Sequence, residues 1–175
     1  MSNPARFAAR LFRMDEHTWE RHANPWSVWS RVASLPFLLL AIWSHAWIGL
    51  WAVLATGLIL LWLWINPRLF PAPSRTDTWS AKVTFGERIF MNRATAPVPG
   101  HHVKVANLLM TASGIGFVAA LAGAVMTDLL MTVAGGLAAW FAKMWFCDRM
   151  VWLFDDMKDR NPAYAAWIRV KDEAR

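Results

Sequence analysis

The chain has 175 residues, is 57% hydrophobic and contains thirteen tryptophans against one tyrosine. That is too apolar for an ordinary soluble domain of this length. The net charge of +6 comes without zinc-finger spacing or an RNA-binding aromatic motif, so the partners implied exclude nucleic acid. The lone cysteine, Cys147, excludes a disulfide framework within one chain.

In chain order, "PARFAARLFRM" comes first. It places Arg6, Arg10 and Arg13 on one helical face and Phe7, Leu11 and Met14 on the other. That pattern predicts a short helix lying in the lipid headgroups. It lacks the apolar core and small-residue site of a cleavable signal. The next segment, "RHANPWSVWSR", leads into a long apolar block. Asn24 is a favoured helix cap, and Pro25 suits the first helical position because its missing N–H has no partner to lose there.

The apolar blocks 35–65 and 105–147 are each too long for one membrane span and too short for three, since a span takes about 20 residues. Each is therefore expected to be a helical hairpin. The first has helices over Pro25–Trp43 and Ala46–Asn66, with a turn at Ser44-His45 and an end at a second Asn-Pro. The second has helices from Val105 to Met126 and from just after Asp128 to about Asp159, with Asp128 as cap. Between the hairpins, "DTWSAKVTFGERIFMNR" carries a narrow stripe of Trp79, Val83, Gly86 and Phe90 and predicts a second interfacial helix. The resulting fold class is all-α and polytopic. It comprises an N-terminal interfacial segment (1–24), hairpin 1 (25–66), a middle segment (67–104), hairpin 2 (105–156) and a tail (157–175).

The 18 lysines and arginines fall before the first predicted spanning helix or in its first turns, in the middle segment and the start of the third, or at the end of the fourth and in the tail, and none lies at either hairpin turn. The positive-inside rule then predicts cytoplasmic termini and a cytoplasmic middle segment, in a bacterial or archaeal plasma membrane with anionic headgroups as partners. Ala112, Gly116 and Ala120, and likewise Gly135 and Ala139, follow small-xxx-small spacing. That spacing suits close helix packing and a homo-oligomer or larger membrane complex. There is no G-x-x-x-x-G-K-[ST] and no G-x-G-x-x-G, so no nucleotide loop.

Ionisable residues avoid the predicted midplane, which disfavours an ion-coupled transporter. They gather near the predicted cytoplasmic helix ends in three clusters: "MDEHTWERHANP", His101-His102, and "KMWFCDRMVWLFDDMKDR". In the last, Asp148, Trp152 and Asp155 repeat at helical spacing on one stripe. The catalytic candidates are His22 as acid or base, with Asp148 or Asp155 orienting it. The candidate metal ligands are His22, His101, His102 and Asp155, which offer imidazole and carboxylate donors. Arg21, Asn24, Pro25, Trp26, Trp29, Arg31, Arg149 and Trp152 are expected to shape the helix entry and the interface. The simpler account of the same residues is an interfacial tryptophan belt with snorkelling basic side chains.

"WERHANPWSVWSR", "NPRLFPAP", "GERIFMNR", "PVPGHH" and "KMWFCDRMVWLFDDM" together resemble an uncharacterised family of small bacterial and archaeal integral membrane proteins, over about Asp15 to Met157. The resemblance implies the same membrane architecture and no reaction. The leading expectation is an accessory or interaction subunit with a Trp/His/Asp/Arg-rich platform. A membrane-interface enzyme acting on a lipid-like or apolar substrate is the alternative, and a small oligomeric channel or transporter comes third. No cofactor is specified.

Overall fold

The computed structural model describes residues 16–170. The expected N-terminal interfacial helix lies outside the described residues. All regular structure among the described residues is helical: α1 (Glu16–His22), α2 (Pro25–Val32), α3 (Ser34–Trp43), α4 (His45–Ile48), α5 (Trp51–Leu69), α6 (Trp79–Met91), α7 (Gly100–Met126), α8 (Leu129–Lys158) and α9 (Pro162–Ala165). Four stretches are long and apolar enough to cross a membrane: Pro25–Ile48, Trp51–Leu69, Gly100–Met126 and Leu129–Lys158. The protein is thus an all-α chain with four helices fit to span a bilayer.

The chain divides into two compact units. The apolar unit comprises Trp29–Asn66 and Val105–Phe146. Among the described residues the polar unit comprises 16–28, Pro67–Lys104 and 147–170.

In the apolar unit the first reversal falls at Gly49, not at Ser44-His45. The Ser44 hydroxyl donates back to the Ala41 carbonyl at 2.7 Å, and its backbone stays right-handed helical, so the chain does not turn there. Gly49 adopts φ 56°, a conformation that glycine reaches without steric cost. The Asn66-Pro67 pair does not end a helix either. α5 continues to Leu69 with Pro67 inside it, because Asn66 is fully buried and its amide donates to Ser30 Oγ at 2.8 Å. Pro67 removes one helical N–H and its ring crowds the carbonyl four residues earlier, and the helix ends two residues beyond it.

α7 and α8 run antiparallel with their backbones in contact. A Cβ at Gly116 would lie 2.6 Å from the Ala139 nitrogen, and one at Gly135 would lie 2.5 Å from the Ala120 nitrogen. Ser113 Oγ crosses the seam to the Ala139 carbonyl at 3.0 Å. The small-residue stripe is therefore used inside the chain. Leu39 of α3 packs with Ala120 and Ala124 in a buried apolar cluster of this unit.

The α7–α8 turn combines two capping devices. The Asp128 N–H donates to the Gly123 carbonyl at 2.9 Å, a six-to-one bond that closes the C-terminus of α7. Thr127 takes the left-handed position with φ 55°, where glycine is usual. Asp128 Oδ1 then accepts from the Met131 N–H at 2.8 Å and caps α8, as its sequence position predicts.

In the polar unit, Asn24 Oδ1 accepts from the Trp26 N–H at 2.9 Å, while its amide donates to the Pro71 carbonyl at 3.0 Å. Asn161 repeats the cap before Pro162, accepting from the Ala163 N–H at 3.0 Å. Ahead of α6, Arg75 grips Asp77, and that hydrogen bond holds the Asp77 carboxyl below its ordinary pKa. α6 is not a helix laid on a surface by one narrow stripe. Ser80, Ala81, Val83, Thr84, Phe85, Gly86, Ile89 and Phe90 are all buried. Phe85 packs on Phe154 and Trp167 with ring centroids 5.3 and 5.5 Å away. The buried Thr76 hydroxyl donates to the Trp167 carbonyl at 2.7 Å and accepts the Arg169 N–H at 2.6 Å, clasping the segment after α9.

Candidate functional site

α7 begins at Gly100, five residues before the expected start, because the Pro99 carbonyl accepts from the His102 and Val103 N–H groups. The paired histidines consequently sit in the first turn of a helix instead of a loop. A helical turn gives both imidazoles fixed directions. Their rings pack at 4.2 Å between centroids. His102 is 2% exposed, and its Nε2 lies 2.7 Å from Asp156 Oδ2 near the end of α8. His101, His102 and Asp156 form a group whose ligand atoms all lie within 4.8 Å of one another. His102 Nδ1 is buried and meets no hydrogen-bond partner.

These side chains line a pocket of about 410 Å³ together with Arg149, Trp152 and Asp155. Arg149 stacks over Trp152, with Cζ 4.6 Å from the ring centroid. Its Nε is buried and meets no acceptor. Asp155 is held by two lysines: Lys82 Nζ at 3.0 and 3.2 Å and Lys158 Nζ at 2.8 Å.

The stripe Asp148–Trp152–Asp155 therefore divides. Asp148 accepts from the Trp79 indole N–H at 3.3 Å, whereas Trp152 and Asp155 face the pocket. The carboxylate brought to the histidines is Asp156, which sequence reasoning passed over, and not Asp155. Spacing did not single it out: Asp155 lies three residues after Trp152 and Asp156 four, so both share a helical face with it. Choosing between adjacent aspartates required knowing where Lys82 stands.

The other expected residues are placed as follows. His22 is buried in the polar unit, edge-on to Trp19 at 5.9 Å, and its carbonyl accepts from Thr84 Oγ1 at 3.4 Å. It is not a member of the His101–His102–Asp156 group. Arg21 donates to the Arg68 carbonyl at 3.0 Å. Asn24 and Pro25 form the entry to α2, Trp26 and Trp29 are exposed, and Arg31 lies in the last turn of that helix.

The sequence pattern of a family of unknown function, DUF6653, matches residues 4–172. The chain belongs to that family. The match takes in nearly all of the chain, so DUF6653 includes both long hairpins and the pocket residues, beyond the 15–157 stretch on which the resemblance rests. No curated protein and no solved structure matches the chain.

Proposed function

We propose that this DUF6653 member is a multi-pass membrane protein that binds a divalent transition-metal ion through His101, His102 and Asp156. The observation that carries this is the buried His102 imidazole 2.7 Å from the solvent-facing Asp156 carboxylate, with the His101 ring stacked against it. Two donors that close subtend about 80° at an ion bonded to each at ~2.1 Å. That angle suits a six-coordinate ion such as Mn²⁺ or Fe²⁺ better than tetrahedral zinc, and two imidazoles with one carboxylate are donors such ions accept. Three protein ligands leave coordination positions open to the pocket, which is the design of a site for exchangeable ligands and not of a closed structural site.

This is the membrane-interface enzyme reading, with its centre moved from His22 to the pocket. It stands ahead of the accessory-subunit reading because the small-residue stripe expected to serve assembly is taken up by α7 against α8. Both termini and the middle segment are assigned to the cytoplasmic side, because no lysine or arginine lies between Arg31 and Arg68 or between Lys104 and Lys143, the stretches that hold the two hairpin turns.

The test is metal content of the full-length protein in detergent after chelation and reloading with Mn²⁺, Fe²⁺ or Zn²⁺. Wild type should retain one ion per chain. His102→Ala and Asp156→Ala should weaken binding by about a hundredfold or more, since losing even a supporting group costs ~10–100-fold. Asp155→Asn should retain the ion. Equal metal retention by wild type and both ligand variants, with helicity intact, would overturn the reading.

A further inference from the structure

Arg149 is a cation in a pocket that also holds two carboxylates, yet neither is available to it. Asp155 is occupied by Lys82 and Lys158, and Asp156 by His102. The Arg149 Nε is left buried without an acceptor. That nitrogen is covered by the chain and out of a ligand's reach, but the rest of the guanidinium lines the pocket without a carboxylate to pair with, so the cation calls for an anion from outside the chain. Stacking on Trp152 at 4.6 Å holds the guanidinium plane, and its edge remains free to donate.

We propose that the pocket binds a phosphate group, with Arg149 donating to its oxygens beside the ion held by His101, His102 and Asp156. This rests on the metal reading for its second anchor. Arginine presents a planar fork that matches carboxylate or phosphate in a bidentate way. A carboxylate has two oxygens, and with both on the fork an ion would have to share one of them. A phosphate monoester has three terminal oxygens, so it can satisfy the fork and still ligate the ion. With Asp155 neutralised by two lysines and Asp156 facing a divalent ion, the occupied pocket carries surplus positive charge, which favours an anion. The pocket volume of about 410 Å³ exceeds that of one phosphate and leaves room for part of the group that bears it. A phospholipid headgroup and a soluble phosphate share this chemistry.

The experiment uses full-length protein loaded with Mn²⁺, whose paramagnetism broadens the ³¹P resonance of any phosphate bound next to it. Inorganic phosphate is one probe. The others are lipid nanodiscs of phosphatidic acid and of phosphatidylcholine. Broadening of inorganic phosphate that is competed by phosphatidic acid and not by phosphatidylcholine identifies a lipid source, whereas broadening without that competition identifies a soluble one. Either outcome supports the site. Arg149→Gln should weaken phosphate binding by about tenfold or more, and Arg149→Lys, which keeps the charge without the fork, should fall between. Metal affinity should not drop in Arg149→Gln, because removing a nearby positive charge favours a cation. Phosphate binding unaltered in Arg149→Gln overturns the proposal, as does the absence of phosphate binding to Mn²⁺-loaded wild type. If no metal binds, the preceding reading fails alone: calorimetric phosphate binding that Arg149→Gln abolishes would keep the Arg149 assignment, and its absence would end it.

Discussion

The α-carbon of Gly86 on α6 lies directly against the backbone carbonyl of Met150 on α8. A methyl group at position 86 would fall inside that carbonyl group and 2.9 Å from the Met150 Cβ. Only hydrogen fits, because the obstructing atoms are backbone and cannot swing away. Gly86→Ala should therefore destabilise the protein by about 3 kcal/mol, the upper part of the range for overpacking. Thermal unfolding in detergent measures it, and an unchanged midpoint would show that the two helices do not approach this closely.

Position matters more than residue type along α7. Gly116 faces the α8 backbone, with a Cβ there 2.6 Å from the Ala139 nitrogen, whereas a Cβ at Gly114 would meet nothing within 4 Å. Gly116→Ala should cost about 1–3 kcal/mol and Gly114→Ala nothing. Comparing the two melting curves checks this. Equal behaviour of both variants would contradict the antiparallel seam.

Thr127 holds a left-handed backbone with a β-branched side chain, at φ 55°. Such a conformation costs about 1–3 kcal/mol that glycine avoids. Thr127→Gly should raise stability by about 1 kcal/mol, since added chain entropy in the unfolded state offsets part of the relief. A lowered melting temperature would argue against the left-handed cap.

The two turns between long helices should share one side of the membrane. In a Cys147→Ala background, Leu50→Cys and Met126→Cys should react with an impermeant thiol reagent added outside the cell, and Ser74→Cys should react only after permeabilisation. Leu50 and Met126 are both strongly exposed beside their turns, so burial does not protect them. Outside labelling of Ser74→Cys would end the assignment of the middle segment to the cytoplasm.

Hydropathy and capping chemistry are local, and they were legible in the sequence. A run of apolar residues carries its membrane-spanning length in its own composition. Asn24-Pro25 and Asp128 announce helix starts because the cap bonds reach only two or three residues ahead. The same local logic misplaced the first turn. Ser44 looked like a break, yet its hydroxyl found a helical carbonyl, and the reversal waited for Gly49. It also misjudged Asn66-Pro67, where a tertiary partner, Ser30, replaced the cap that two other Asn-Pro pairs make.

The tertiary structure alone decided which polar residues meet. Asp156 lies more than fifty positions from His101 and His102, and nothing within either segment favours Asp156 over Asp155. Lys82 makes the difference. Coming from α6, it captures Asp155 jointly with Lys158 and leaves Asp156 to His102. That pairing depends on α6 seating against α8 at Gly86, a backbone contact that the sequence shows only as one glycine in a narrow apolar stripe. The sequence by itself thus determined the all-helical class and the four long apolar helices, because those follow from periodicity and transfer free energy along the chain. The makeup of the pocket was decided in three dimensions, because competition among distant charges for the same carboxylate has no trace in the spacing of residues along one helix.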